Sequence, residues 1–148
     1  MKNPIKYIGK EREYLEKVLK SENWSSTSGN WTSRLEHQFA RKFKAQYAIA
    51  FNSGTGTLHA ALDAVGIRTG DEVITSPITV ISNADVILAQ NAIPVFADID
   101  PDTFCLSPEA LKRLISKKTK CVVTVHWCGN VGDLDQIQKM ILGHGKVS

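Results

Sequence analysis

The sequence predicts an α/β fold with three layers, in which helices cover both faces of a mostly parallel sheet. Strand-like and helix-like segments alternate along most of the chain, and this order is typical of parallel strands joined by crossover helices. Residues 121–125 form a nearly continuous apolar run, as expected for a strand that is buried on both faces. Together, these two observations predict one layered α/β domain, which a helical segment precedes.

The composition is that of an ordinary globular protein. The chain has 148 residues, of which 43% are hydrophobic and 22% are charged, and its formal net charge is +3. This length supports one hydrophobic core. Lys117, Lys118 and Lys120 form a dense cationic cluster, but no aromatic residues are interleaved with them. No nucleic-acid partner is therefore expected.

The sequence carries no signal for export or for a membrane. No apolar run approaches the roughly 18 residues that a membrane span needs, and the first residues lack the apolar segment of a signal peptide. A cytoplasmic protein with no membrane partner is the expectation. Cys105, Cys121 and Cys128 are odd in number and lack metal-binding spacing, which indicates free thiols.

The N-terminal part is predicted to consist of a helix and a long loop. Apolar spacing predicts a helix over residues 11–20, and the small polar residues of 21–30 predict a loop. Trp24 and Trp31 stand near the two ends of this loop. They either anchor the loop by burial or line a pocket or a subunit interface.

A second helix is predicted directly after this loop. Ser33 and Glu36 have the spacing of a capping box, in which Ser33 is the cap that begins the helix. Leu35, Phe39 and Phe43 then fall on one stripe of the helix.

A turn of small residues is the most informative segment of the chain. Residues 47–51 are strand-like, and the sequence Asn-Ser-Gly-Thr-Gly-Thr at 52–57 leads into a helical pattern from Leu58 onward. The first turn of such a helix offers unpaired N–H groups and the positive end of a dipole, so a phosphate is a fitting ligand. The segment is neither a P-loop nor GxGxxG. The alternative is an ordinary turn in which Gly permits a positive φ and Thr caps the helix.

The remainder of the chain repeats the alternation of strand and helix. The predicted strands are 71–75, 93–97 and 121–125, and the predicted helices are 80–91, 108–115 and 133–142. Ser107 is the expected cap of the middle helix, with Pro108 at its first position. Polar segments follow the strand ends at 76–79, 98–100 and 126–130. Because ligands collect at the carboxyl ends of strands in such sheets, these segments and the turn are expected to line one crevice.

Two groups of polar residues have both a functional and a structural interpretation. His126 follows a buried strand and could face the crevice, but a packing or hydrogen-bonding role is favoured. Asp98, Asp100 and Asp102 resemble a metal cluster. Since they surround Pro101, carboxylates that form a turn are favoured, and no metal is expected.

Several segments, taken in order, resemble the DegT/DnrJ/EryC1/StrS family of aminotransferases that depend on pyridoxal 5'-phosphate and act on nucleotide-linked keto-sugars. The matching segments are 52–55 with 58–59, 70–74, 94–100, 125–129 and 133–135, together with 26–29 and 35–36 near the N-terminus. The resemblance covers nearly the whole chain. It implies an incomplete fold-type-I aminotransferase large domain over residues 46–148, preceded by the helical segment and loop of residues 1–45.

The resemblance also implies which residues bind the cofactor. Thr55 and Gly56, in the turn that begins with Gly54, would give backbone N–H groups to the phosphate, and the Thr55 hydroxyl would add a further donor. In the family an aromatic residue stacks on the pyridine ring at the position that spacing assigns to Val80. Valine can pack on a ring face but cannot stack as an aromatic ring does.

Two further residues of the family have no counterpart in this sequence. Family members carry an Asp that pairs with the pyridine nitrogen and a lysine that forms the Schiff base, both later in the chain than the segment present here. Lys146 matches that lysine neither in position nor in context. No catalytic residue is therefore assigned, and this chain alone is expected to be inactive.

The resemblance implies the N-terminal part of a sugar aminotransferase for polysaccharide or amino-sugar biosynthesis. Its partners would be an amino-acid donor, a nucleotide-diphospho keto-sugar and a second copy in a homodimer. The alternative is a non-catalytic module from a truncated gene, which binds phosphate ligands or dimerises. A generic nucleotide-binding domain is disfavoured because the dinucleotide fingerprint is missing.

Overall fold

The computed structural model describes residues 9–144, and the prediction made for Lys146 lies outside them. The helices are α1 (Glu11–Lys20), α2 (Trp31–Phe43), α3 (Gly54–Ala64), α4 (Ser82–Ala89), α5 (Pro108–Leu114) and α6 (Leu134–His144), and the strands are β1 (Glu72–Thr75), β2 (Ile93–Phe96) and β3 (Thr119–Val123). The chain divides into two compact units, with the boundary after Ala50.

The sheet of the second unit has three parallel strands in the order β2-β1-β3. Thr75 at the end of β1 pairs with Phe96 of β2 and with Val123 of β3. The carboxyl ends of all three strands therefore lie at the same edge of the sheet, as the alternating sequence predicted.

Each face of the sheet carries its own hydrophobic core. On one face Val73 and Cys121 pack with residues of α3 and α4, among them Leu62 and Ile87. On the other face the core is formed with α5 and α6 by Ile74, Ala97, Leu106, Ala110, Leu111 and Ile137. This arrangement confirms the three-layer α/β fold, because adjacent strand residues point to opposite faces.

The start of α5 is as predicted. Ser107 has an extended backbone, and its side chain accepts a hydrogen bond from the N–H of Ala110 at 3.3 Å. Pro108 occupies the first helical turn, where its missing N–H would have had no intrahelical partner in any case.

Several predicted elements have slightly different bounds in the structure, and the differences for one strand and one helix have a clear cause. The strand predicted at 121–125 is β3, which begins and ends two residues earlier, because β1 ends at Thr75 and offers no partner beyond Val123. The helix predicted at 80–91 is the shorter α4. Asn91, two residues after the end of α4, has a positive φ of 54°. A right-handed helix cannot continue through a residue with this backbone angle.

The first unit contains α1 at its predicted bounds and α2, whose predicted capping box is wrong. Asn30 occupies the N-cap position of α2, so Ser33 lies inside the helix and its hydroxyl donates to the Asn30 carbonyl. Glu36 instead accepts a hydrogen bond from the backbone N–H of Ala50. No residue of α1 or α2 is buried.

The strand predicted at 47–51 is also wrong. The segment carries no strand assignment, and none of its residues belongs to a ladder among the described residues. Tyr47 and Ile49 are 77% and 74% exposed. Strand-like composition yields a strand only where a neighbouring strand pairs with it, and this part of the structure provides none.

Among residues 9–144, no helix has both the length and the apolar character required to cross a bilayer.

Candidate functional site

The first turn of α3 forms the centre of the candidate site. Ser53 precedes the helix with extended backbone angles, and its Oγ accepts a hydrogen bond from the N–H of Gly56 at 3.0 Å. The N–H and the hydroxyl of Thr57 both donate to the Ser53 carbonyl. The cap of this helix is therefore Ser53 and not the threonine that the alternative of an ordinary turn had named.

This cap changes the set of donors that the turn can offer to a ligand. The N–H of Gly56, expected to bind phosphate, is already bonded to Ser53. The N–H groups of Gly54 and Thr55 have no protein partner among the described residues. A Cβ atom added at Gly54 would meet nothing within 4 Å, and Gly54 and Thr55 are both exposed, so the start of α3 is open to solvent. Two amides at the positive end of a helix dipole form a site for an anion.

A second helix begins beside the first one. The hydroxyl oxygen of Thr55 lies 2.9 Å from that of Ser82, the first residue of α4. No side chain caps α4 in the described structure, and the N–H of Ser82 has no protein partner there. The N-terminal ends of two helices thus meet at one pair of hydroxyl groups.

Val80 lies two residues before Ser82 in the chain, and the residue is 62% exposed. The segment that carries it is held by local hydrogen bonds. Ser76 Oγ donates to the carbonyl of Ile78 and accepts from its N–H, and the Asn83 side chain donates to the Thr79 hydroxyl at 2.7 Å. The exposed valine is therefore fixed near the mouth of the site by a buried serine and a buried asparagine.

The loops after β2 and β3 contact each other at the same edge of the sheet. The Asn130 side chain donates to the Thr103 carbonyl at 3.1 Å, and the Cys105 thiol donates to the Asn130 carbonyl at 3.3 Å. His126 is exposed, and its Nδ1 accepts a hydrogen bond from the N–H of Gly132 at 3.3 Å. This contact fits the predicted hydrogen-bonding role of His126.

One contact joins two of the segments that were expected to line a single crevice. The turn at α3 and the segment after β1 are joined through Thr55 and Ser82. Within residues 9–144, no hydrogen bond connects this pair with the loops that contain Thr103 and Asn130.

Asp100 forms a turn, as predicted. Its Oδ1 accepts hydrogen bonds from the N–H groups of Asp102 and Thr103 and from the Thr103 hydroxyl. The bond from the Thr103 N–H is the main reason why the pKa of this carboxyl lies below its usual value. In the part of the chain that the structure describes, no group of three His, Cys, Asp or Glu side chains could hold a metal ion.

The two tryptophans of the first unit have different surroundings. Trp24 is 70% exposed and its indole N–H donates to the Leu19 carbonyl. Trp31 and Tyr14 pack edge to face, and the Arg34 guanidinium lies over the Trp31 ring at 4.7 Å from its centre. Trp31 and Arg34 also line an open pocket of about 560 Å³. The interpretation of a pocket-lining residue therefore fits Trp31, and burial does not describe Trp24.

Sequence reasoning named Gly54, Thr55, Gly56 and Val80 as candidates and did not name Ser82, which contacts Thr55 in the structure. In the sequence, the sign that pointed to Ser82 was a residue with a hydroxyl group at the start of a helix that follows the end of a strand. That signal is weak in a sequence, because the contact with Thr55 spans 27 positions.

Comparisons with known proteins agree on one family. The family model described as the DegT/DnrJ/EryC1/StrS aminotransferase family matches residues 6–147. L-glutamine:2-deoxy-scyllo-inosose aminotransferase from Streptomyces kanamyceticus is 41% identical over 90% of this chain and 32% of its own length. GDP-perosamine synthase from Vibrio cholerae is 38% identical over 93% of this chain and 37% of its own length.

Two further proteins extend this comparison. The spore coat polysaccharide biosynthesis protein SpsC from Bacillus subtilis is 42% identical over 93% of this chain and 35% of its own length. The structure of NtdA from Bacillus subtilis, solved with bound cofactor PMP, matches with a TM-score of 0.85 at 28% identity, over 91% of this chain and 31% of that one. The chain thus spans about a third of the length of the proteins it matches.

Proposed function

The chain belongs to the DegT/DnrJ/EryC1/StrS aminotransferase family, and we propose that it is the N-terminal part of an enzyme that transfers an amino group to a nucleotide-linked keto-sugar. Pyridoxal 5'-phosphate is the cofactor of this family. The observation that supports a role for this chain in cofactor binding is that the N–H groups of Gly54 and Thr55, at an exposed helix start, have no protein partner among the described residues.

The residues at the start of α3 fit the phosphate group of that cofactor. A phosphate dianion accepts hydrogen bonds and donates none, and the site presents donors: two N–H groups and the hydroxyls of Thr55 and Ser82. The positive helix end adds electrostatic stabilisation. No acidic residue lies in the first turn of α3, so no carboxylate of that turn repels the ligand.

In this proposal the described residues would bind and orient the cofactor, and none of them is assigned the transfer itself. When bound, the cofactor supplies an electron sink for the carbon that carries the amino group. Gly54 and Thr55 would hold its phosphate at the helix end, and Val80 would offer an apolar side chain to its ring. No residue of the described chain is assigned a role in moving a proton. The lysine and the aspartate of the family are proposed to lie in sequence that follows this segment.

The substrates follow from the family. We propose an amino acid as donor and a nucleotide-diphospho keto-sugar as acceptor, in a homodimeric enzyme of polysaccharide or amino-sugar biosynthesis. The names of the relatives support a sugar or cyclitol acceptor, since they include GDP-perosamine synthase and an aminotransferase for 2-deoxy-scyllo-inosose.

Isothermal titration of the 148-residue chain with three ligands tests the proposed site. Pyridoxal 5'-phosphate should bind saturably, inorganic phosphate should compete with it, and pyridoxal should bind at least about tenfold more weakly because it lacks the charged group. Equal affinities for pyridoxal and its phosphate ester would show that the helix end is not the binding site.

A second experiment tests the assignment of the catalytic lysine to a later segment. The chain is incubated with pyridoxal 5'-phosphate, reduced with borohydride and mapped by peptide mass spectrometry. Scattered, substoichiometric labelling of surface lysines is expected. Stoichiometric labelling of one lysine would overturn the assignment.

The coding sequence after Ser148 separates the enzyme from the alternative. A continuation that contains a strand ending in Asp and, further on, a lysine supports the aminotransferase. A stop codon directly after Ser148 would favour the non-catalytic module that binds phosphate ligands or dimerises.

A further inference from the structure

We propose that Ser82 is a positioning residue of the phosphate site: its hydroxyl donates to the Thr55 hydroxyl oxygen and thereby directs the Thr55 proton toward the ligand. This inference rests on the proposed function, because it assigns a role to Ser82 in the binding of the same phosphate group. Neither the sequence patterns nor the comparisons assign a role to Ser82.

The geometry brings Ser82 to the site from a separate helix. Its Oγ lies 2.9 Å from Thr55 Oγ1, well within hydrogen-bond distance, and either oxygen could be the donor when the protein is free. Ser82 is only partly exposed, whereas Thr55 is exposed. The partner of Thr55 is therefore held in the protein, and Thr55 itself faces the solvent from which a ligand enters.

The charge of the ligand decides which hydroxyl donates. The oxygens of a phosphate ester dianion carry no proton, and three oxygens of the inorganic dianion carry none, so a hydroxyl that contacts such an oxygen must donate to it. Thr55 adjoins the free amides and therefore turns its single proton to the phosphate. The proton between the two hydroxyl oxygens must then come from Ser82. The bound site has one consistent arrangement, in which Ser82 donates to Thr55 and Thr55 donates to the phosphate.

The second helix strengthens this arrangement. Ser82 is the first residue of α4, an eight-residue helix that no side chain caps in the described structure. Its position therefore places the positive end of a second helix beside the hydroxyl pair. A Ser82 hydroxyl polarised in this way is a better donor, and so is the Thr55 hydroxyl that it bonds to.

A double-mutant cycle tests the role of Ser82, with the dissociation constants of inorganic phosphate and of pyridoxal 5'-phosphate as readouts. Thr55→Val removes the hydroxyl and keeps the backbone N–H. We expect Ser82→Ala to raise both dissociation constants about threefold to tenfold, and Thr55→Val to raise them at least as much. The double variant should be no worse than Thr55→Val alone, because Ser82 acts through Thr55.

A matched pair at position 82 controls for folding. Ser82→Thr and Ser82→Val have nearly the same shape and differ in the hydroxyl, so the threonine variant should bind like the wild type and the valine variant should not. Ser107→Ala, which removes the cap of α5 on the other side of the sheet, should lower the melting temperature and leave phosphate affinity unchanged.

Three results would overturn the inference. Equal phosphate affinity of the Ser82→Thr and Ser82→Val variants would show that the hydroxyl has no role. Additive losses in the double variant would show that Ser82 does not act through Thr55. If the wild-type chain shows no saturable binding of either ligand, the proposed phosphate site itself is wrong. The first two results would instead overturn only the role of Ser82 and leave the phosphate site in place.

Discussion

The backbone N–H of Ala50 donates a hydrogen bond to the carboxylate of Glu36 at 2.9 Å. Glu36 lies in the middle of α2, and Ala50 lies one residue before the end of the segment that was predicted to be a strand. One half-buried side chain thus satisfies a backbone group that no neighbouring strand satisfies.

Replacing Glu36 should loosen this segment. Glu36→Ala removes the acceptor for the Ala50 N–H, and we expect the free energy of unfolding to fall by about 1 kcal/mol. Glu36→Gln keeps an acceptor oxygen and should lose less. Urea denaturation of both variants provides the measurement, and equal losses for Ala and Gln would mean that the bond to Ala50 contributes nothing.

The cap of α3 should contribute to stability in the same way as the cap of α5. Ser53→Ala removes the acceptor of the Gly56 N–H, and Ser107→Ala removes that of Ala110. Each change should cost about 1 kcal/mol of unfolding free energy, whereas Ser53→Gly should cost only about a few tenths. Thermal melts of the three variants test this. A Ser53→Gly variant as unstable as Ser53→Ala would contradict the capping role.

An aromatic residue at position 80 should improve cofactor binding. Val80 is exposed beside the candidate site, so Val80→Phe can be accommodated and can stack on the pyridine ring. We expect the dissociation constant of pyridoxal 5'-phosphate to fall about threefold to tenfold. That of inorganic phosphate should stay unchanged, because it has no ring. Equal changes for both ligands would mean that position 80 does not face the ring.

The stability of the second unit should fall in alkaline solution partly because of Cys121. Burial raises the pKa of this thiol from its ordinary value of 9.0. A group whose pKa is higher in the folded state than in the unfolded state stabilises the fold fully at pH values below its unfolded-state pKa. This stabilisation is lost as the pH rises through its folded-state pKa. The free energy of unfolding should therefore decrease above about pH 9, where the unfolded thiol ionises.

Urea denaturation between pH 8 and pH 10.5 isolates the contribution of Cys121. The decrease should be smaller in Cys121→Ala than in the wild type, whereas Cys128→Ala, at an exposed position, should follow the wild-type curve. Parallel curves for wild type and Cys121→Ala would show that this thiol does not contribute.

The isolated chain is expected to self-associate through α2. Leu35, Phe39 and Phe43 form its apolar stripe and are 58%, 52% and 60% exposed. Exposed apolar patches of this kind favour association. Leu35→Ser with Phe39→Ser should shift the chain toward the monomer in sedimentation velocity runs. Gln38→Ser is the control at a polar position of the same helix, and a wild-type chain that stays monomeric at high concentration would refute the prediction.

Local sequence signals predicted those elements whose residues interact with near neighbours in the chain. The Ser107-Pro108 start of α5 was correct because a cap and its N–H partner are three residues apart. The bounds of α1 followed from apolar spacing alone. The capping box at Ser33 failed because Asn30 already begins the helix, and Glu36 found a backbone partner 14 positions later.

The sequence by itself determined the order of helices and strands from α3 onward, the parallel α/β class and the position of the glycine-containing turn, since each depends on local propensity and on the period of apolar residues. Tertiary structure decided which donors of that turn are free, that residues 47–51 are not a strand, and that Ser82 joins Thr55. These features depend on hydrogen bonds between distant segments, and only the packing of the helices and strands establishes which distant segments meet.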